Sequence, residues 1–220
     1  MNLLSHRYFS LSITLLTCLL ALLSSFLLDY DVLFRFVDEG GFIETLTLLF
    51  YLVAALFALC YPLKIIRLPS RIAIAILMLA MLAREADLHK IFGMSMLKIK
   101  FWLTDQSTVC HKILAALILL FLIFALYTLI RHSAKRWLSD LKQGQNYAVT
   151  LFIFFIVLIM SKLIDRSVNM VHEITGWMAP TWLIAIQLPQ EEYLECLLPL
   201  LIIVAIIQYV NNNKMKVNIE

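Results

Sequence analysis

The chain has 220 residues, of which 62% are hydrophobic and 15% charged, with a formal net charge of +3 and a mean hydropathy of +0.90. A soluble domain is about half apolar with about a quarter of its residues charged, so this composition excludes an ordinary soluble fold. It fits an all-α, polytopic helical membrane protein with one membrane domain over residues 1–220, and five Gly and five Pro leave few natural breaks.

Six segments are apolar over roughly the 20 residues that a helical span needs. The first is 9–28, FSLSITLLTCLLALLSSFLL, after a single Arg7. It is longer than the core of a signal peptide, and no A-x-A site follows, so it reads as an uncleaved helix. The second is 42–62, with Glu44 near its start. The third is about 72–92 and ends in READLHK, residues 84–90, where five of seven residues are ionisable. The fourth is 113–130. A basic stretch, KRWLSDLK at 135–142, reads as an interfacial loop anchored by Trp137. The fifth is 147–164, and its pattern allows a continuation to His172. Residues 174–189 are broken by Gly176, Pro180 and Pro189 and read as interfacial or re-entrant, with Trp177 and Trp182 at the headgroups. The sixth span is 193–210, opened by QEEYLE. The runs are continuously apolar and do not alternate, which excludes a β-barrel.

Six spans put both termini on one side, with the loops at 63–71 and 131–146. That side holds ten of the 18 Lys and Arg and two of the 15 Asp and Glu, so the two faces carry +8 and −5. The positive-inside rule then places the termini in the cytoplasm and the acidic face outside.

In this topology four helices carry ionisable residues to one depth near the outer surface. Glu44 opens the second span, and Arg84, Glu85, Asp87 and His89 close the third. Lys162, Asp165 and Arg166 end the fifth, and Glu191, Glu192 and Glu195 open the last. Helical spacing puts Glu85 and His89 on one face, four residues apart, and Glu191 and Glu195 likewise. Asp165, Asn169, His172 and Glu173 form a polar stripe if the fifth helix continues. Thr45 and Thr47 offer hydroxyls near Glu44. Ionisable residues inside a membrane usually face a protein interior and mark a function. The expected ligand-binding set is Glu44, Arg84, Glu85, Asp87, His89, Glu192 and Glu195. The bland alternatives are that Arg84 and Lys162 are structural counter-charges, that Glu191 and Glu192 sit at a solvated helix N-terminus, and that Lys90 snorkels to the interface.

Glu85, His89 and Glu195 are suitable ligands for a divalent metal, though no HExxH or HxxxH motif is present. GxSxG and P-loop motifs are absent too. Cys18, Cys60 and Cys196 fall in spans as small apolar residues, and Cys110 stands alone in a loop. Beyond the short basic loop nothing points to nucleic acid.

The stretches DEGGFIETLTLLFYL, LAREADLHKIF and LPQEEYLECLLPLL resemble a set of small polytopic bacterial inner-membrane proteins of unassigned function. The resemblance implies the same multi-helix fold and a shared polar site at Glu44, Arg84, Glu85, Asp87, His89, Glu192 and Glu195. It brings no reaction with it. The chain departs from the ceramidase-like membrane hydrolases, which need several His where only His89 and His172 are available here.

Two functions are expected from this pattern. The first is an outward-facing carboxylate, His and Arg pocket that binds an ion or polar ligand in a small transporter, sensor or membrane-complex subunit. The alternative is a metal-dependent hydrolase or transferase acting on a lipid or lipid-linked substrate at the outer leaflet. Expected partners are membrane lipids and either a second copy of the chain or a partner protein, because 25.4 kDa leaves little room for a transport path in one subunit.

Overall fold

The computed structural model describes residue 4 and residues 6–38, 40–61, 65–91, 95–104 and 108–217, with side chains as far as Asn213. The predicted ends of the second and third spans, Pro62 and Phe92, lie outside the described residues, as do Lys64 and Asp105. Among the described residues every regular element is helical. In chain order these are α1 (Phe9–Leu27), α2 (Tyr30–Val37), α3 (Phe42–Cys60), α4 (Leu68–Glu85), a 3₁₀ turn (Leu88–Lys90), α5 (Ile99–Leu103), α6 (Val109–Lys142), α7 (Asn146–Thr175) and α8 (Thr181–Val217).

The protein is a polytopic helical membrane protein. Among the described residues, five stretches are long and apolar enough to cross a bilayer: Phe9–Leu27, Tyr30–Cys60, Val109–Lys142, Asn146–Thr175 and Thr181–Asn213. The third predicted span is the exception. Its helix, α4, has 18 residues and carries Arg71 in its first turn and Arg84 and Glu85 in its last.

Three boundaries differ from the sequence expectation, and a fourth follows an extension that the pattern allowed. The third helix stops at Glu85, not near residue 92, because Asp87 takes the left-handed conformation at φ 52 and a 3₁₀ turn follows. The segment 135–142 is no loop but the last turns of α6, whose 34 residues far exceed one bilayer thickness. The indole N–H of Trp137 donates to the Ala148 carbonyl at 3.2 Å and ties that helix end to the start of α7. The fifth helix does continue past residue 164, as its pattern allowed, to Thr175. It ends where Gly176 takes φ +70 and its N–H caps the His172 carbonyl at 2.8 Å. The segment 174–189 was expected to be interfacial or re-entrant, but α8 begins at Thr181 and runs through Pro189 and Pro199. Prolines survive inside a helix that crosses a membrane because neighbouring groups take over the lost bonds.

The chain divides into two units, Met1–Phe50 with Trp137–Glu220, and Tyr51–Arg136. In the first, α8 packs along α7 and α1 and meets α2. Helix α8 is apolar nearly all round and correspondingly buried: Leu194, Leu197, Leu198, Leu201, Ala205 and Val210 are all in the core. Leu33 and Val37, one turn apart on α2, close over Ala185 with Leu188 and Tyr193 beside them. The outer face of α1, Leu11, Leu15, Leu19 and Phe26, is exposed, as a lipid-facing helix surface must be. In the second unit Tyr51, Ala54, Ala55 and Ala58 form a buried stripe on α3, and α4 and α6 bury Ala73, Ala75, Ala115 and Ala125. Small residues at such positions let membrane helices approach closely. Arg71 is buried there, with its Nε–H donating to the Ala58 carbonyl at 3.4 Å.

Candidate functional site

Within the first unit and among the described residues, α3, α7 and α8 bring the Lys162 ammonium group among five carboxyls, those of Glu44, Asp165, Glu191, Glu192 and Glu195. Glu195 lies 14 residues into α8, with its side chain only 5% exposed. Lys162 of α7 reaches it and forms an ion pair, and its Nζ also lies 3.8 Å from Asp165 Oδ2. Glu192, one turn before Glu195 on the same helix, feels the charges of Glu195, Glu191, Glu44 and Lys162. Its Oε2 is buried and has no hydrogen-bond partner among the described residues. An oxygen in that state has given up water without a replacement, which is costly in a low-dielectric interior.

Local structure explains how each group arrives. At the start of α3 the Gly40–Gly41 pair turns the chain sharply. Gly40 sits at φ +78, and a Cβ on Gly41 would lie 2.7 Å from the Asp38 carbonyl oxygen and 2.8 Å from that of Phe36. The turn leaves Glu44 in the first turn of α3, where its carboxylate accepts a hydrogen bond from the Gly40 N–H. An acid in the first turn also suits the helix dipole. On α8, Pro189 and Pro199 have no N–H to donate, so the ladder bonds to the Ala185 and Glu195 carbonyls are missing on either side of Glu192. Two amides brace the neighbouring backbone. Gln187 Nε2–H donates to the Ile164 and Asp165 carbonyls at 2.9 and 3.1 Å, and Gln190 Nε2–H donates to the Cys18 carbonyl at 2.9 Å.

Glu191 and Glu192 therefore do not sit at a solvated helix N-terminus, since α8 starts ten residues earlier than Glu191 and both are half-buried in its third and fourth turns. Thr45 and Thr47 do not serve Glu44: their hydroxyls donate to the Gly41 and Ile43 carbonyls, each at 2.9 Å. The stripe on α7 exists as spaced, but Asn169, His172 and Glu173 are exposed. Lys162 fills the counter-charge role that its position at the end of the fifth apolar run allowed. Gln187 and Gln190 were missed by sequence reasoning; their signal was an amide side chain inside a stretch otherwise apolar.

Arg84, Glu85, Asp87 and His89 belong to the second unit. The break at Asp87 means that Glu85 and His89 do not share a helical face: Glu85 is the last residue of α4 and His89 lies in the 3₁₀ turn. Asp87 is exposed and pairs with Lys90 Nζ at 2.6 Å, so Lys90 makes an ion pair at the turn. His89 Nδ1 lies 3.9 Å from Asp87 Oδ1, beyond hydrogen-bond reach. Arg84 is half-buried in the last turn of α4. Four of the five ionisable residues of READLHK thus sit at or beyond the stop of a helix that its own polar end terminates.

Among the described residues no three His, Cys, Asp or Glu side chains are grouped so as to hold a metal ion. No protein-family model, no curated protein and no solved structure matches this chain.

Proposed function

We propose that this membrane protein binds a cation or a cationic polar ligand at Glu192, with Glu44, Glu191 and Glu195 supplying the surrounding negative charge and Lys162 holding Glu195 in place. It then acts as a small transporter, a sensor or a subunit of a membrane complex. The observation that carries this reading is the buried Oε2 of Glu192, without a hydrogen-bond partner among the described residues, close to the charges of Glu44, Glu191, Glu195 and Lys162. A set with more carboxyls than cations in an apolar surround must take up protons or a positively charged guest. The carbonyls released by Pro189 and Pro199 add neutral acceptors on the same helix.

The reading includes a place and an assembly. The protein belongs in the bacterial inner membrane with the small polytopic proteins that it resembles, with both termini cytoplasmic, and it works as a homo-oligomer or with a partner protein. This orientation requires α4 to cross as a sixth span. Reporter fusions at Lys135 and after Asn213 should both report cytoplasm, and one at Gly176 the outer side. Opposite signals at the first two sites would break it.

The ligand reading is tested by thermal unfolding of purified protein in mild detergent with Na⁺, K⁺, Mg²⁺, Ca²⁺ or guanidinium added in turn. A ligand that binds only the folded protein raises its stability with concentration. At least one cation should stabilise the wild type, and Glu192→Gln should lose that response while folding normally. Equal stabilisation of the wild type and Glu192→Gln would sink the site.

A further inference from the structure

A second feature lies wholly in the unit Tyr51–Arg136. Between α4 and α6 runs a groove of about 360 Å³. Its walls are apolar: Leu68, Ile72 and Ile76 on one side, Phe121 and Phe124 on the other, with Ala73 and Ala125 at the floor. One end changes character. There the lining passes to Thr128 and His132 of α6 beside Leu68 and Pro69 at the start of α4. Helical spacing continues the α6 face from His132 to Lys135 and Arg136, and Arg131 adjoins it. Arg67 immediately precedes Leu68 at the N-cap of α4. Arg67, Arg131, His132 and Lys135 are exposed. Arg131 is held by the Tyr127 hydroxyl at 3.1 Å, which extends its guanidinium from a fixed point. The acids of these two helices are Glu85, which ends α4 at the end opposite Arg67, and Asp140, which follows Lys135 by five residues on α6 and accepts a hydrogen bond from the Tyr147 hydroxyl.

We propose that the groove is a binding site for one anionic phospholipid, with an acyl chain along Ile72, Ile76, Phe121 and Phe124 and the phosphate at the basic end near Arg67, Arg131, His132 and Lys135. An apolar slot between two membrane helices is filled by a lipid chain by default, and the charge at its end selects the headgroup. Basic pockets between membrane helices are a recurrent way of holding anionic lipid. Apolar walls alone would accept any phospholipid, and basic residues alone would accept any anion. The two together, in register along one pair of helices, call for an anion carrying a chain. The site uses none of the Glu192 residues, and it rests on α4 crossing the bilayer as the sixth span.

The test is native mass spectrometry of the full chain released from vesicles of equal phosphatidylglycerol and phosphatidylethanolamine. The wild type should retain phosphatidylglycerol in preference. In the variant Arg67→Ala/Lys135→Ala that preference should fall by roughly five-fold per residue removed, the factor that about 1 kcal/mol per basic side chain near an anionic surface implies. Ile72→Trp, at a position 43% exposed and so free to accept a larger side chain, should reduce retention of both lipids. Melting curves in detergent check that each variant is folded. Equal retention of the two lipids by the wild type would overturn the proposal, as would a preference unchanged in Arg67→Ala/Lys135→Ala. Stabilisation by inorganic phosphate equal to that by phosphatidylglycerol would overturn it too, in favour of a plain anion site.

Discussion

Helices α7 and α8 hold two buried polar groups along the same contact, about 18 Å apart by helical rise between Thr150 and Lys162, and they are built on opposite terms. At one end the Thr150 hydroxyl donates to Gln208 Oε1 at 2.7 Å, and Gln208 Nε2–H donates to the Leu4 carbonyl at 2.8 Å. Both side chains are buried, neutral and engaged. Nearby, Asn212 donates to Gln145 Oε1 at 3.2 Å, and the Tyr147 hydroxyl bonds Asp140. At the other end Lys162 meets Glu195, while Glu192 keeps a buried oxygen with no hydrogen-bond partner among the described residues. The neutral group closes upon itself and can only hold helices together. The charged group is left incomplete, and incompleteness is what a ligand site needs.

The largest effect is expected at Lys162. Lys162→Ala strands the buried Glu195 carboxylate and should cost roughly 3–5 kcal/mol, read as a drop in melting temperature or loss of folded protein in detergent. The double variant Lys162→Met/Glu195→Leu removes both charges and should recover most of that loss. If it melts as low as Lys162→Ala, then packing and not charge is what Lys162 supplies, and the contrast between the two ends collapses.

Next comes Gly41→Ala, which places a methyl group 2.7 Å from the Asp38 carbonyl oxygen. Overpacking against backbone should cost about 1–3 kcal/mol and shift Glu44, weakening any cation response together with stability. Loss of stability with an unaltered cation response would show that Glu44 is not part of the site.

A smaller change is expected at the neutral end. Thr150→Val keeps shape and removes the donor to Gln208, for about 0.6 kcal/mol, the usual size of an interhelical side-chain hydrogen bond in a membrane. Its cation response should be that of the wild type. A cost as large as that of Lys162→Ala would mean that the neutral group is as highly stressed as the charged one.

The least is expected from Lys90→Ala. The Asp87–Lys90 pair is about half exposed on both sides, and exposed ion pairs contribute about 0–1 kcal/mol. Expression and melting should be nearly those of the wild type. A marked loss would instead make READLHK a structural cap in its own right.

The sequence made the membrane character legible, because composition and the length of apolar runs are additive properties that need no fold. The counter-charge role of Lys162 was legible as well, since a cation ending an apolar run near several acids has few other uses. The break at Asp87 was not. An Asp in the left-handed region costs little locally, and nothing in an E-x-x-x-H spacing reveals whether the helix continues through it. The start of α8 was hidden for a related reason: Pro180 and Pro189 read as breakers, but Pro180 lies just outside the helix and Pro189 is carried within it.

What the amino-acid sequence determined by itself was the class of protein, the approximate place of the spans and the inventory of charges, all set by the free energy of moving each residue between water and lipid. What only the tertiary structure decided was which charges meet. Lys162 and Glu195 are 33 positions apart, and their pairing depends on how α7 turns back at Gly176 and lies against α8. The unpartnered oxygen of Glu192 is a property of that packing alone, because whether a carboxylate finds a hydrogen bond depends on every neighbour around it, and no local stretch of sequence contains them all.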